Sequence, residues 1–240
     1  MKSWTFALAA LLLRCLAIPA LGAQDARSVL ASVDAFRSFG GSGYSYDFAT
    51  TEEGGVNSLM RVSVRWGEAE AALVKYLEPA KQKGRFVLVR GNAFWLYEAG
   101  MSSAIRISPR QILFGQASAG DVSRISFQSM YELAASEATE AGFRLRLKAK
   151  SGAGATYDLV DLITAEDYRP LSAECRGASG KLMKTIIYDG YEMVQGRKLL
   201  TSFSIRDEIE GKTTRVHLGN FASGALPDSA FSVQGLKYSR

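Results

Sequence analysis

Arg85-Phe86-Val87-Leu88-Val89-Arg90-Gly91-Asn92-Ala93-Phe94-Trp95-Leu96-Tyr97-Glu98 reads as two short strands around a tight turn. β-Branched and aromatic residues fill both arms, and a two-residue Gly-Asn connection suits a hairpin. In that register Arg90 faces Ala93, Leu88 faces Trp95 and Phe86 faces Tyr97 on one side of the sheet. On the other side Val89 opposes Phe94, Val87 opposes Leu96, and Arg85 opposes Glu98. Both faces are apolar, whereas antiparallel sheets commonly leave one face wet. The hairpin therefore needs cover on both sides, from a packed helix, a bound apolar ligand, or the two sharing one cavity.

Alternation with a period of two extends outward from this hairpin. Upstream it runs through Tyr44, Tyr46 and Phe48, then Val62, Val64 and Trp66, then residues 72–77. Downstream, strands are expected over 104–108, 131–138, 143–149, 157–163, 171–176, 182–188, 198–206 and 212–218. Phe143-Arg144-Leu145-Arg146-Leu147-Lys148 has one dry face and one basic face, so part of the sheet meets water. Val29, Leu30, Val33 and Phe36 recur instead at helical spacing, with Asp25 placed to cap that helix and Gly40-Gly41-Ser42-Gly43 to end it. Residues 109–122 carry no clear period and are expected to hold a helical turn or a mobile loop. There is no βα alternation, internal repeat or Pro-rich linker, so the pattern implies one mainly β domain built on an antiparallel sheet, open or closed into a barrel.

The chain has 240 residues, of which 47% are hydrophobic and 22% charged, which excludes a disordered chain. Its two cysteines exclude a disulfide scaffold. Residues 1–23 read as a secretory leader: Lys2 is the positive start, 4–13 the apolar stretch, and Ala20-Leu21-Gly22 the small-x-small site. Cys15 follows Arg14, where lipidation wants a small residue, so a lipid anchor there is not expected. The domain is expected over 24–240, with Cys175 as its lone cysteine and a small buried apolar residue. No stretch approaches the ~20 apolar residues of a membrane-spanning helix. Loss of Lys2 and Arg14 lowers the net charge from +5 to +3, and the basic residues are scattered, so nucleic acid is not an expected partner.

Motifs for catalysis are weak. His217, the single histidine, shares its parity with Thr213 and Arg215 and is expected on a polar face. One histidine and one cysteine make no zinc site of the usual spacing. Gly177-Ala178-Ser179-Gly180-Lys181 lacks the spacing, the following Ser or Thr and the βα context of a phosphate loop, and reads as a hairpin turn. Asp207, Glu208 and Glu210 read as a solvated turn. No cofactor, metal or enzyme activity is expected.

The middle of the chain resembles the LolA-like superfamily of outer-membrane lipoprotein-sorting proteins. The likeness is carried by Glu78-Pro79, Lys83-Gly84-Arg85, Trp95-Leu96-Tyr97, Gly115-Gln116-Ala117-Ser118 and Gly120-Asp121, and by the ending Leu226-Pro227-Asp228-Ser229-Ala230-Phe231 with Leu236. Ala99 departs from the pattern, standing where members often have proline. The resemblance implies a strongly curved antiparallel sheet, a half-open, incomplete barrel, with helices across its mouth and acyl chains held in an apolar interior. It further implies a periplasmic carrier of lipoprotein or phospholipid, with inner- and outer-membrane proteins as loading and receiving partners. Phe86, Leu88, Trp95 and Tyr97 are the expected groove lining, with Tyr46, Phe48, Val64 and Trp66 as further candidates. Alternatives are a sensory module that binds a lipidated ligand, and a hydrolase dependent on His217. The carrier reading requires a hollow beneath the Gly91-Asn92 hairpin that the chain does not fill with its own side chains.

Overall fold

The computed structural model describes residues 23–52, 57–66, 70–123, 126–224 and 226–235. The expected leader therefore lies outside the described residues apart from Ala23, which opens the first helix, and so does Leu236. Helix α1 (Ala23–Asp34) precedes strands β1 (Gly43–Glu52), β2 (Asn57–Arg65), β3 (Ala71–Glu78), β4 (Phe86–Arg90), β5 (Ala93–Tyr97) and β6 (Ile105–Ile107). A short crossing segment follows, with β7 (Ile112–Phe114), β8 (Ala117–Ser118), α2 (Ala119–Ser123) and α3 (Phe127–Met130). The chain then runs through β9 (Tyr131–Thr139), β10 (Gly142–Ala149), β11 (Leu159–Ala165), β12 (Pro170–Arg176), β13 (Leu182–Val194), β14 (Arg197–Asp207) and β15 (Thr213–Ser223). Asp25 sits in the first turn of α1 and not at its cap.

Thirteen strands form one sheet in the order β6-β5-β4-β3-β2-β1-β15-β14-β13-β12-β11-β10-β9. It is two meanders joined where β1 pairs antiparallel with β15, in a register that sets Phe48 opposite Leu218 and Thr50 opposite Val216. The sheet curves but does not close, leaving β6 and β9 as its edges. Strand β13 runs six residues past the expected end because a bulge at Gly190 interrupts the alternation. A Cβ there would stand 2.1 Å from the Ser202 Oγ, so the crossing of β13 and β14 requires glycine.

The 85–98 hairpin pairs as its turn dictates: Arg90 with Ala93, Leu88 with Trp95, Phe86 with Tyr97. Gly91 takes φ +56°, which a tight turn demands and glycine adopts without strain. Arg85 and Glu98 close the far end in a 2.6 Å ion pair. Each apolar face of the hairpin has its own cover. Val87, Val89 and Phe94 face inward and join the main core with Tyr46, Phe48, Met60 and Val62. Phe86, Leu88 and Tyr97 face outward with Ala71 and Leu73, and the C-terminal 3-10 turn Asp228–Phe231 lies over them. Phe231 is only 2% exposed there, and an Arg65–Asp228 ion pair fastens the turn to the end of β2. The second cover is thus the chain's own C-terminal segment.

Residues 108–123 leave the β6 edge and plug one end of the curved sheet. Arg110 donates to the Thr156 carbonyl at 2.7 Å and pairs with Asp158 at 2.6 Å. The Gln116 N–H donates to the Thr214 Oγ1 at 2.8 Å. Deepest is Asp121 of α2, paired at 2.9 Å with Lys184 of β13, both side chains about 95% buried. The Asp121 carboxylate also accepts from the Ser118 hydroxyl at 2.7 Å and the Tyr157 hydroxyl at 2.9 Å, so its lone pairs are satisfied without water. Over the concave face, α1 buries Val29, Leu30 and Val33 and packs against α3.

Phe231→Ala is expected to lower stability by about 3 kcal/mol or more, the usual cost of deleting a buried phenyl ring, measured as a shift of the urea midpoint. Lys184→Met leaves a buried carboxylate without its cation and is expected to cost about 3–5 kcal/mol. The double variant Asp121→Leu/Lys184→Met should recover much of that loss; a double variant as unstable as the single one would mean that the pair is not the anchor.

Candidate functional site

Between the plug and the α1–α3 cover, the concave face encloses two small adjoining hollows. The first, about 50 Å3, lies against β11, β12 and β13 and is walled by Val160, Ala173, Cys175, Ile186, Tyr188 and the α3 residues Phe127 and Met130. The second, about 20 Å3, lies against β1, β14 and β15 beneath Phe36 and Phe39. Arg37, Asp121 and Phe203 border both hollows, so the two lie on either side of these three residues. A single water-sized group needs roughly 10–15 Å3, so the two hollows together seat only a handful of such groups.

Arg37 follows α1 in a turn whose backbone is tied back by its own N–H to the Asp34 carbonyl at 2.9 Å. Its carbonyl accepts from the Tyr44 hydroxyl at 3.2 Å. The guanidinium lies 5.0 Å from the Phe127 ring centroid, a cation–π contact that ties the turn to α3. Burial opposes its charge, but the neighbouring Tyr188 and Asp34 outweigh that and hold its pKa above the ordinary value. Asp34 serves α3 as an external cap. Its two oxygens accept from the Phe127 N–H at 2.7 Å, the Gln128 N–H at 2.9 Å and the Ser126 hydroxyl at 2.9 Å. These N–H groups open a helix and have no partner within it. Burial pushes the Asp34 carboxyl up from 3.8 to about 6, against the pull of those N–H groups and of Arg37. Burial likewise raises the Cys175 thiol and the Tyr46 and Tyr188 hydroxyls, so none of them is poised as a nucleophile or base near neutrality.

The structure separates the groove candidates. Tyr46 and Phe48 line the second hollow. Val64 is wholly buried in the main core and Trp66 packs against that core, and neither borders these two hollows. Phe86, Leu88 and Tyr97 belong to the outer cluster under Phe231, with Trp95 packed against it. On the inner face of the hairpin Val87, Val89 and Phe94 are at most 1% exposed, and none of them borders either of these two hollows. The two hollows lie on the α1 and α3 side, while on the β3 side the plug packs against the sheet, where the Tyr76 hydroxyl donates to the Leu113 carbonyl at 3.4 Å. Arg37, Phe203 and Tyr188 were not among the sequence candidates. Alternation could have placed Phe203 and Tyr188 on an inner face, but nothing local marks Arg37, which follows the helix.

His217 is exposed on β15, opposite Ala49 and Ser202. Residues 177–181 form the β12–β13 turn, closed by the Gly177 N–H to the Lys181 carbonyl at 3.1 Å. Among the described residues no three of His, Cys, Asp and Glu gather as a metal site, and no helix is long and apolar enough to cross a membrane.

A family model described as an uncharacterized protein matches residues 68–238. No curated protein matches the chain. A LolA superfamily protein from Nitrosomonas europaea superposes with a TM-score of 0.74 at 27% identity, over 86% of this chain and 97% of that one. A DUF1329 family protein from Desulfovibrio piger gives 0.72 at 18% identity, over 89% and 98%. An outer membrane lipoprotein-sorting protein domain from Vibrio parahaemolyticus gives 0.69 at 18% identity, over 90% and 100%. The last two share the fold. With an open, curved sheet, helices across its concave face and a family match over most of its length, this chain belongs to the LolA-like superfamily, within the uncharacterized family whose model spans residues 68–238.

Proposed function

We propose that this chain is a periplasmic carrier that holds lipid acyl chains against the concave face of its sheet and moves them toward the outer membrane. The observation that supports it most is the pair of adjoining, mostly apolar hollows, roofed by helices that pack chiefly on one another and on the sheet edge. The cargo is lipoprotein or phospholipid, and membrane proteins that load and receive it are the natural partners.

The described hollow is too small for a chain of about fifteen methylenes, so binding requires the α1–α3 cover to lift. Energetics allow this. Exposing Val29, Leu30, Val33 and Phe127 costs roughly 1.5–3 kcal/mol each, while a chain of that length gains on the order of 12 kcal/mol on leaving water. The plug at residues 108–123 is held by a buried ion pair and is the fixed end. Few strong polar contacts along the lining favour release, which a carrier needs as much as capture.

Mass spectrometry of organic extracts from protein purified without detergent is expected to find phospholipid or acylated species at near-stoichiometric levels. Ala173→Leu places three extra carbons in the first hollow, where the space accepts them at a stability change within about 1.5 kcal/mol. Uptake of a fluorescent acyl probe should then drop at least about tenfold; unchanged uptake in a folded variant would move the site elsewhere. The cover supplies a second check. A carboxyl whose folded pKa is raised binds its proton more tightly in the folded state, so Asp34 favours folding on acidification and imposes a cost as pH rises through 4 to 6. The stability of the native protein minus that of Asp34→Asn should fall across that window in urea titrations. A difference flat with pH would mean that Asp34 is not held in the cover.

A further inference from the structure

We propose that the outer end of the β13–β14 hairpin docks on an anionic lipid surface, with Met193 and Val194 entering the headgroup layer and Arg197 and Lys198 meeting lipid phosphates. The proposal goes beyond the carrier reading, and its test needs no cargo. This hairpin outgrows its neighbours in the sheet. Strand β12 stops pairing with β13 at Ile187, and β15 stops pairing with β14 at Ser202. Beyond those points the two strands pair only with each other, from Gly190 opposite Ser202 to Val194 opposite Arg197. Gln195 and Gly196 close the turn with φ of 49° and 79°, as a tight hairpin requires. A bare two-stranded ribbon is marginal in water, and this one is fastened at its base. The Leu200 N–H donates to the Phe36 carbonyl at 2.8 Å, and the Tyr191 ring meets Phe36 edge-on at 5.9 Å. The Tyr191 hydroxyl donates to the Pro170 carbonyl at 2.7 Å.

The outer end carries the chemistry. Met193 is 68% exposed, more than any other large hydrophobic residue among those described. It stands opposite Lys198, and Val194 stands opposite Arg197. Both cations are exposed, and among the described residues neither is in an ion pair. Glu192 is the acid of this tip and faces Leu199. Near the base, on the β11–β12 turn, Asp167 pairs with Arg169 at 4.0 Å and Glu166 is exposed. An apolar tip flanked by cations is complementary to anionic headgroups, because Lys and Arg stems lie along the apolar layer while their heads reach phosphate. The β14–β15 turn shows the reverse arrangement. Ile209 is 58% exposed there among Asp207, Glu208 and Glu210, and the adjacent Arg206 and Lys212 are engaged by Glu208 at 3.5 Å and Glu210 at 2.9 Å. Strand β14 runs between the two turns, so they lie at opposite ends of the sheet. Docking by the Met193 end brings the second hollow close to the surface, since Phe36, Leu199 and Leu200 at the base of the hairpin line it.

The test floats the purified protein with vesicles of phosphatidylcholine alone, or of phosphatidylcholine and phosphatidylglycerol in equal parts. Partitioning into the anionic vesicles is expected to be at least about tenfold stronger, the usual effect of two cations near such a surface. High salt should remove most of that preference by screening. Arg197→Glu/Lys198→Glu should abolish it, and Met193→Asp should weaken binding about fivefold or more by taking away the apolar anchor. Ile209→Asp should change nothing. A nitrobenzoxadiazole label on Met193→Cys should brighten and shift to the blue on anionic vesicles, while the same label on Ile209→Cys should not. Cys175 is 3% exposed and shielded from the reagent. Equal partitioning of the native protein into both vesicles, or into neither, overturns the docking proposal and needs no variant to fold. Uptake of the acyl probe is measured without vesicles, so the carrier reading survives that result. An anionic preference that outlasts Arg197→Glu/Lys198→Glu, or an equal response from the two labelled positions, moves the contact elsewhere and overturns it too. A dimer lost in Met193→Asp, seen by sedimentation velocity, shows that a second copy covers the tip and overturns it as well.

Discussion

A single curved sheet with an apolar concave face cannot stand alone in water. Everything in this protein follows from the need to cover that face without closing the barrel. A closed barrel would have no edges and would fix its interior volume once and for all. Here β6 and β9 remain apart, and the concave face is covered by separate short segments of chain. The price of such an arrangement is that the covers must be fastened individually, and the two ends are fastened in different ways.

At the plug the fastening is ionic and dry. Asp121 and Lys184 attract strongly because both are out of water, and the hydroxyls of Ser118 and Tyr157 complete the carboxylate's bonding. Separating such a pair would strand two charges in the interior, so the segment stays where it is. The roof relies on weaker links. Asp34 caps a four-residue helix, Arg37 lies over one aromatic ring, and three aliphatic side chains of α1 complete the seal. Under the carrier proposal each of these would be exchanged for water or for lipid on loading. The asymmetry gives the molecule a fixed end and a yielding end.

The sheet was legible in the sequence because alternation is a long-range repeated signal. The 85–98 hairpin even disclosed its register, since only one pairing places Arg85 against Glu98 with a two-residue turn. Its double-sided apolarity correctly demanded two covers. Which cover lay on which face was not legible. The outer one comes from Phe231, some 140 residues along the chain, and no local pattern ties that turn to Leu88 and Tyr97. The hollow was less legible still. Its position depends on Arg37 and Phe203 meeting across the fold, and on residues 109–122 acting as a plug. That segment has no period because it serves the interior from several directions at once.

The small volume of the empty hollow is itself informative about how such a molecule must behave. A dry cavity large enough for a whole acyl chain, on the order of 400 Å3, would cost about 10 kcal/mol at ~24 cal/mol per Å3. That rivals the entire stability of an ordinary domain. A carrier of the kind proposed, empty between deliveries, cannot keep such a space open. It has to let its own covers settle into the groove and be displaced again by cargo. Under the carrier proposal a short roof of α1 and α3 would meet that requirement, because Val29, Leu30, Val33 and Phe127 would give way to a chain of about fifteen methylenes.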